Sequence, residues 1–441
     1  MLNRQLGSCC LLICAVDMAS IHTAFAADSL PDVVPVLVSD TPQSLSASDS
    51  NNTTSAPVTP QTQSLSEPEF VAVPFIFATD TLSTAVGAAG VIKHAGQQQA
   101  TALGIGLYTS NDSWLGYTGL FNYQIPQWQQ WLFSFEGYRA HYQEGIYYLP
   151  DNRVPNPGVD DTQKVISVGE EAYYRLKMKY ILPWGHGANG AAASLTPMSE
   201  RLNWNPLTSG VSSIQLMPFF RRQTLAQRDN LPDEALGVAL ELNWDNRDNG
   251  RDSTQGGQTN LTFSRDFGSS ERASWTTWEF EQSGFLSLAP NDWFAQQVLA
   301  ANFYLADTPT WNSGDEASPH RPPSFAGVFL GGFEHLRGYA SRQFTGRSAV
   351  DYMLEYRVRP RWQPLQAWPV FRLYNVPWWE WVAFFETGKV SNEFDLSQLH
   401  QDMKISYGLA VRFEVEDIVV RTEFAFGGDE SQVWVMVNQP F

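Results

Sequence analysis

Residues 331–358 read GGFEHLRGYASRQFTGRSAVDYMLEYRV, and the pattern of side chains changes near the middle of this stretch. In the second half, apolar and charged side chains alternate: Leu354 falls on one face, whereas Glu355 and Arg357 fall on the other. A period of two residues is typical of a β-strand with one apolar and one charged face. The first half, which includes Arg337, has no such period. We therefore predict a long loop that leads into a strand.

The same period of two residues recurs along most of the chain after residue 70. It is clearest in segments 172–180, 236–244 and 407–415. Two architectures produce such alternation. In a soluble β-sandwich, the apolar faces pack against each other and the charged faces meet water. In a membrane-spanning barrel, the apolar faces contact lipid and the polar faces line the lumen.

Three features favour the barrel over the sandwich. The predicted strands are about 10 to 15 residues long, as a tilted bilayer crossing requires. Aromatic residues cluster near strand ends, in segments 127–131 (QWQQW) and 377–382 (PWWEWV), where interfacial girdles lie. The chain also ends on an alternating segment. We predict an all-β protein, a transmembrane antiparallel β-barrel of about sixteen strands. Residues 183–210 fit this strand count least well.

The N-terminal region has the composition of an export signal followed by a linker. Arg4 supplies a positive charge, residues 9–16 form a short apolar core, and small residues follow at a cleavage site. We predict that residues 1–26 are a signal peptide and that residues 27–67, rich in Ser, Thr and Pro, are a disordered periplasmic leader. Residues 68–441 are then the barrel. All three cysteines lie in the signal segment, so the exported chain is expected to carry no thiol.

Charge and motif content exclude several classes of function. The formal net charge of −18 argues against a nucleic-acid partner. The seven histidines lack metal-ligand spacing, and no G-x-S-x-G nucleophile motif is present. A calcium loop around Asp245 and Asp248 fails because Arg247 and Gly256 occupy ligand positions. We therefore predict no catalytic residue, no metal site and no cofactor.

Residues 331–358 resemble the signature of the bacterial surface antigen superfamily, which includes outer-membrane assembly factors and two-partner-secretion transporters. In that family, an R-G-[FY] tripeptide stands at the tip of a long extracellular loop that folds back into a sixteen-stranded barrel. Arg337, Gly338 and Tyr339 match this tripeptide. Residues 384–390 (FFETGKV) resemble the family's F-x-D-x-G pattern, with Glu386 in place of the more usual aspartate.

Two further segments extend the resemblance over most of residues 70–441. Residues 244–257 (WDNRDNGRDSTQGG) are similar to a family turn, carried here by Asp245, Arg247 and Asp248. The last ten residues resemble the terminal strand by which such barrels are recognised for assembly, with Asn438 where glycine is more usual. The residues of that strand that carry the resemblance are Gln432, Val433, Val435, Val437 and Phe441.

The resemblance implies a latch, by which we mean Arg337, Gly338, Tyr339 and Glu386 acting together. A lumen-facing arginine needs a charged partner because its desolvation is costly. Arg337 and Glu386 are expected to form a charge-assisted hydrogen bond that holds the loop inside the barrel. Gly338 is expected to allow a sharp turn, and Tyr339 to pack on the inner wall. A lumen-facing charge network is expected from Glu355, Arg357, Arg412 and Glu414.

The resemblance also implies a location and a set of partners. We expect a protein of the bacterial outer membrane that contacts lipid and is inserted by the barrel assembly machinery. Family members carry periplasmic polypeptide-transport-associated domains before the barrel, and this chain is expected to lack them. The first hypothesis is a minimal pore for protein translocation or assembly, with a periplasmic partner or secreted passenger. The second is a structural or passive-channel barrel without a polypeptide client. A soluble secreted β-protein is the third.

Overall fold

The structure is a computed structural model that describes most of the chain after residue 66. The predicted signal peptide and leader lie outside the described residues except for Leu12–Ile13 and Glu67, and Phe441 also lies outside them. The described residues are 12–13, 67–79, 83–150, 162–196, 203–226, 232–270, 272–315, 318–368, 371, 376–415, 418–428 and 430–437.

Within these ranges, sixteen long strands form one antiparallel sheet in which each strand pairs with the next along the chain. The prediction of an all-β antiparallel barrel of about sixteen strands is confirmed. The two-residue strand Leu12–Ile13 pairs in parallel with the first long strand. The long strands are β1 (Glu69–Thr79), β2 (Ser83–Lys93), β3 (Thr101–Thr109), β4 (Trp114–Tyr123), β5 (Trp131–Pro150), β6 (Thr162–Ile181), β7 (Val211–Leu225), β8 (Glu234–Asp245), β9 (Gly256–Asp266), β10 (Trp275–Leu288), β11 (Phe294–Asp307), β12 (Ser348–Pro360), β13 (Trp379–Ser391), β14 (Lys404–Val415), β15 (Ile418–Gly427) and β16 (Glu430–Val437).

The two faces of the sheet differ in polarity, and the exposed face is the apolar one. In β12, Glu355 and Arg357 are buried, whereas Leu354 and Tyr356, which alternate with them, are 46% and 38% exposed. A soluble sheet shows the reverse arrangement, because its apolar side chains pack in a core. An apolar outer surface around a polar interior is typical of a membrane-spanning barrel. Other large apolar side chains on the outer face are Tyr352, Phe385, Ile405, Tyr407, Leu409 and Phe426.

The connections between strands fall at two ends of the barrel, since successive strands run in opposite directions. We call the end at which β1 begins the entry end. Residues 182–210 connect β6 to β7 at this end, and the described part of this segment, 182–196 and 203–210, contains no strand. It contains two short 3₁₀ turns, Gly185–Asn189 and Ala193–Leu195. β5 and β6 each have 20 residues, which exceeds the predicted strand length.

The connection between β11 and β12, residues 308–347, leaves from the opposite end and folds into the barrel. Within it, Val328–Leu330 pairs with Phe344–Gly346. Phe325 packs into a buried cluster formed by side chains of β3 to β8 and β10. Leu330 and Leu336 pack on the other side, against β11, β12 and β13. This segment, which we call the inner loop, therefore contacts the inner wall on two sides.

In the residues that the structure describes, helical structure is confined to short segments. The α-helix α1 (Leu396–Leu399) lies between β13 and β14, and its N-terminus is capped by Asp395. No helix in the described part of the chain is long and apolar enough to cross a membrane.

Two leucine substitutions test whether the exposed apolar face meets lipid. Leu354→Arg should strongly reduce the folded fraction, because arginine on a lipid-facing strand near the bilayer centre costs about 2 to 4 kcal/mol. Leu396→Arg should be tolerated, since Leu396 is 58% exposed in α1, outside the strands. The folded fraction is read as the difference in gel mobility between unheated and boiled samples. Equal tolerance of both substitutions would contradict a membrane-facing surface, as would a wild-type protein that is soluble without detergent.

Candidate functional site

The inner loop turns sharply just before Arg337 and points this side chain at the barrel wall. Leu336 has a left-handed backbone, with φ of 52°, and its carbonyl accepts a 3.0 Å hydrogen bond from the N–H of Tyr339. A non-glycine residue in this conformation is uncommon and persists where its surroundings hold it. Leu336 is fully buried, which supplies that restraint. The turn therefore fixes the direction of Arg337.

Glu386 of β13 contacts Arg337 at two positions. One oxygen, Oε2, accepts from the backbone N–H of Arg337 at 2.6 Å, and Oε1 accepts from its Nε at 2.7 Å. Neither side chain has any exposed surface. The glutamate in place of the usual aspartate thus reaches both the main chain and the guanidinium. Both hydrogen bonds are charge-assisted, because the acceptor is a carboxylate. Whether this pair works as a latch stays a prediction.

Two more carboxylates converge on the other side of the guanidinium. Arg337 Nη1 lies 2.9 Å from Glu355 Oε1 of β12 and 3.1 Å from both oxygens of Glu423 of β15. Its guanidinium carbon lies 3.7 Å from the ring centre of Phe384, a cation–π distance. Burial lowers the pKa of Arg337, but Glu386, Glu423 and Glu355 together raise it well above its usual value. The arginine is therefore charged inside the lumen.

Gly338 is a central residue of the turn that the Leu336–Tyr339 hydrogen bond closes. Its φ is outside the left-handed region, which Leu336 occupies instead. A Cβ on Gly338 would come within 2.4 Å of the Phe426 carbonyl carbon, so glycine is needed because the loop backbone approaches β15 closely. The N–H of Gly338 donates to Ser406 Oγ at 2.8 Å.

Tyr339 packs inside the barrel beside β15. Its ring centre lies 5.1 Å from that of Phe344 in an edge-on arrangement. A Cβ on Gly427 would meet the Tyr339 ring at 2.6 Å, so the ring lies directly against the strand backbone. Trp434 of β16 donates from Nε1 to the carbonyl of Arg337 at 2.7 Å. The tip of the inner loop is thus bound to strands β12 to β16.

Three of the four residues predicted to form a charge network are in contact. Arg412 Nη2 donates to Glu355 at 2.8 Å, and Arg357 Nε donates to the same carboxylate at 2.8 Å. Glu414 is placed nearer the entry end, where its Oε2 accepts from Trp378 Nε1 at 2.5 Å. The network therefore shares Glu355 with the latch, which makes the two predicted sites one continuous cluster.

Sequence reasoning missed several members of this cluster, among them Arg421 and Glu423 of β15. Glu423 accepts from Arg412 at 3.1 Å and from Arg421 at 3.3 Å, in addition to its contact with Arg337. Both residues are almost fully buried. The available signal was their spacing by two residues, which places them on one face of a strand. Their pairing with Arg337 depends on the strand register and has no local signal.

The turn between β8 and β9 is braced by its own side chains. Arg247 donates to Asp245 from Nε at 3.0 Å and from Nη2 at 2.7 Å. Asp248 Oδ1 accepts from the backbone N–H groups of Thr254 and Gln255, at 2.9 and 3.1 Å. These carboxylates are therefore engaged within the turn. In the described part of the chain, no group of three or more His, Cys, Asp or Glu side chains is arranged to hold a metal ion.

The same turn also contacts β12 at the entry end. Asp252 accepts from Arg359 Nη2 of β12 with both oxygens at 2.9 Å, although three strands separate β8 from β12. The Arg359 guanidinium lies 4.3 Å from the ring centre of Trp378. This ion pair therefore joins the turn to β12 near the entry end.

The predicted assembly strand forms β16, which pairs antiparallel with β15 through Val437. Gln432 lies opposite Ala425, Val433 opposite Phe424 and Val435 opposite Thr422. Gln432 faces the lumen and is buried. Because Phe441 lies outside the described residues, the terminal aromatic has no structural description, and the assembly role of the strand stays a prediction.

Comparisons with known proteins support the fold. No protein-family model matches the sequence, and no curated protein matches it. CdiB from Escherichia coli matches with a TM-score of 0.51 at 12% identity, over 83% of this chain and 61% of that chain. BamA from Haemophilus ducreyi lacking POTRA domains 1–3 matches with a TM-score of 0.46 at 11% identity, over 84% of this chain and 70% of that chain. CdiB from Acinetobacter baumannii has a TM-score of 0.47 at 11% identity, over 82% of this chain and 56% of that chain.

At this level of identity, the likeness to CdiB from Escherichia coli establishes a common fold. The chain spans about three-fifths of the length of that protein. The geometry of the latch, and not the comparison, must therefore carry any functional conclusion.

Removal of either latch partner should release the inner loop. Arg337→Ala leaves three buried carboxylates without their shared cation, and breaking a buried ion pair costs about 3 to 5 kcal/mol. We expect greater protease cleavage within residues 308–347 and higher ion conductance in planar bilayers, and the same for Glu386→Ala. Arg321→Ala is the control, because exposed Arg321 of the same loop donates to the Trp311 carbonyl outside the cluster. Unchanged cleavage and conductance in both latch variants would contradict the latch.

A second contact between the inner loop and the wall includes a titratable group. His335 Nδ1 lies 3.5 Å from Asp351 Oδ2 of β12, and its ring stacks on Tyr304 at 4.3 Å. Burial lowers the pKa of His335, but Asp351, Glu281 and Glu334 raise it overall to about 9. The protonated histidine is thus stabilised by docking.

Loop docking is therefore expected to weaken at alkaline pH. The folded pKa of His335, about 9, exceeds its ordinary value of 6.5, so the stabilisation is complete below about pH 6.5 and is lost as pH rises through 9. Protease access to the inner loop should increase between pH 7 and 10. His335→Gln should flatten this dependence, and a variant that retains the full pH response would refute the assignment to His335.

Proposed function

We propose that this protein is an outer-membrane barrel of the bacterial surface antigen type and acts as a gated pore in protein translocation or barrel assembly. The observation that carries this proposal is Arg337, held without exposed surface at the tip of a loop inside the lumen. The loop tip is attached by this charge cluster and by neighbouring contacts to β14, β15 and β16. A loop attached in this way can close the lumen at rest and be released when a client enters.

The location follows from the same structure. The outer face of the strands presents apolar side chains, as an outer-membrane barrel requires. The fold shared with CdiB from Escherichia coli supports the same assignment. In this orientation the entry end faces the periplasm and the opposite end faces the exterior. Outer-membrane lipid, the barrel assembly machinery and a periplasmic partner or secreted passenger are the proposed partners.

A second candidate function is a structural or passive-channel barrel with no polypeptide client. One observation favours it: a cluster of buried aromatic side chains fills part of the interior opposite the charge cluster. Tyr117, Tyr138, Tyr173, Phe219 and Trp275 belong to this cluster. Such packing leaves less room for a polypeptide than an open lumen would.

Site-specific photo-cross-linking distinguishes these functions. Cross-linkers are placed at Phe70 in β1, at Val433 in β16 and, as the control, at Leu354 on the outer face of β12. A translocation or assembly pore should yield client polypeptides at β1 and β16 but not at Leu354. An absence of polypeptide adducts, together with steady ion conductance in planar bilayers, would favour the passive channel and contradict our proposal.

A further inference from the structure

Two adjacent turns at the entry end have an unusual composition. Residues 94–100 contain three glutamines and residues 124–130 contain four, and neither turn contains Asp, Glu, Lys or Arg. The two turns are joined by their side chains, since Gln97 Nε2 donates to the Gln124 carbonyl at 2.6 Å and Gln97 Oε1 accepts from the Gln124 N–H at 2.8 Å. Neutral amides are thus concentrated at one place on the rim of the barrel.

An open cleft of about 510 Å³ lies beside these amides. Its lining is three aromatic and three amide side chains, and none carries a charge. Trp128 is 49% exposed, so its ring is accessible to a ligand. The lining residues are Gln127, Trp128, Gln129, Gln130, Trp131 and Tyr180.

The cleft is held in shape by contacts around it. The Gln129 carbonyl accepts from Gln124 Nε2 and from the Ala191 N–H, both at 2.9 Å. The rings of Trp131 and Tyr180 lie 5.1 Å apart, and those of Trp128 and Trp131 lie 6.0 Å apart. A site with fixed walls loses little conformational freedom when a ligand binds.

One polar atom of the lining has no partner within the protein. Gln130 Oε1 is buried and accepts no hydrogen bond in the described structure. A buried acceptor without a partner is unfavourable, and such groups call for an explanation. If the Gln130 side chain turns toward the cleft, a ligand hydroxyl or amide N–H supplies the missing donor.

These observations select one class of ligand. A pyranose ring presents C–H groups that stack on aromatic rings and a rim of hydroxyl groups that bond to amides, which matches this lining. A phosphate headgroup is matched poorly, because anionic phosphate is recognised by Arg or Lys. We infer that this cleft binds a neutral glycan strand. The proposed function implies that the glycan reaches the cleft from the periplasm. The chemistry of binding does not depend on that function.

An interfacial girdle is the competing explanation for the tryptophans, and Trp293 provides the matched control. It lies at the entry end, between β10 and β11, and is 78% exposed. If the aromatic residues at this end serve only as membrane anchors, Trp128 and Trp293 should behave alike.

The test is a titration of the full-length protein with tri-N-acetylchitotriose, followed by saturation-transfer difference NMR. The protein is kept in lauryldimethylamine oxide, because a maltoside detergent carries a sugar that would compete. Wild type should bind, and Trp128→Ala and Gln130→Leu should each weaken binding by about three- to tenfold. Trp293→Ala should bind as wild type does. Gel mobility of unheated samples establishes that each variant is folded.

Several results would overturn the inference. They are absence of binding by wild type at millimolar trisaccharide, equal weakening by Trp128→Ala and Trp293→Ala, and displacement of the trisaccharide by phosphatidylethanolamine vesicles. The last result would assign the cleft to a lipid headgroup. Since the titration does not depend on conductance or on clients, its failure leaves the proposed function untouched, and failure of the cross-linking leaves the cleft untouched.

Discussion

The burial of one positive charge organises the interior of this protein. Arg337 has no contact with solvent, and an unpaired guanidinium in such a place would carry a large desolvation cost. Carboxylates from three strands, Glu355, Glu386 and Glu423, offset that cost. Glu355 and Glu423 also pair with arginines of the wall, whereas Glu386 contacts both the side chain and the backbone of Arg337, so the loop and the wall stabilise each other. The position of the inner loop follows from this requirement.

The interior is consequently divided into two parts of different chemistry. On the side of β12 to β15, alternating arginines and glutamates form a nearly balanced cluster around Glu355 and Glu423. On the side of β3 to β8, aromatic and apolar side chains pack together, and Phe325 of the inner loop joins them. The partners in a buried ion pair can be replaced by other polar groups more readily than a packed apolar cluster can be opened. If the barrel is gated as proposed, we expect the inner loop to be released on the charged side.

The faces of individual strands were predictable, and so was the proximity of Arg337 to Glu386 once the family resemblance was considered. The close approach of Gly338 to β15 was not predictable, because this strand lies almost 90 residues away along the chain. Glu414 was grouped with Arg412 since both face the lumen, yet it is bound to Trp378 near the entry end. Glu423 was missed for the same reason, since alternation indicates a face but not a height along the barrel.

A period of two residues is a local property of the chain, and it is sufficient to assign strands, to place apolar side chains outside and to count about sixteen crossings. Contacts within the lumen are not local. They depend on the register between neighbouring strands and on the path of a 40-residue connection through the interior, which spans residues 308–347. Only the folded barrel brings Arg337, Glu355, Glu386 and Glu423 to one height, because their distance is set by the accumulated stagger of four strands.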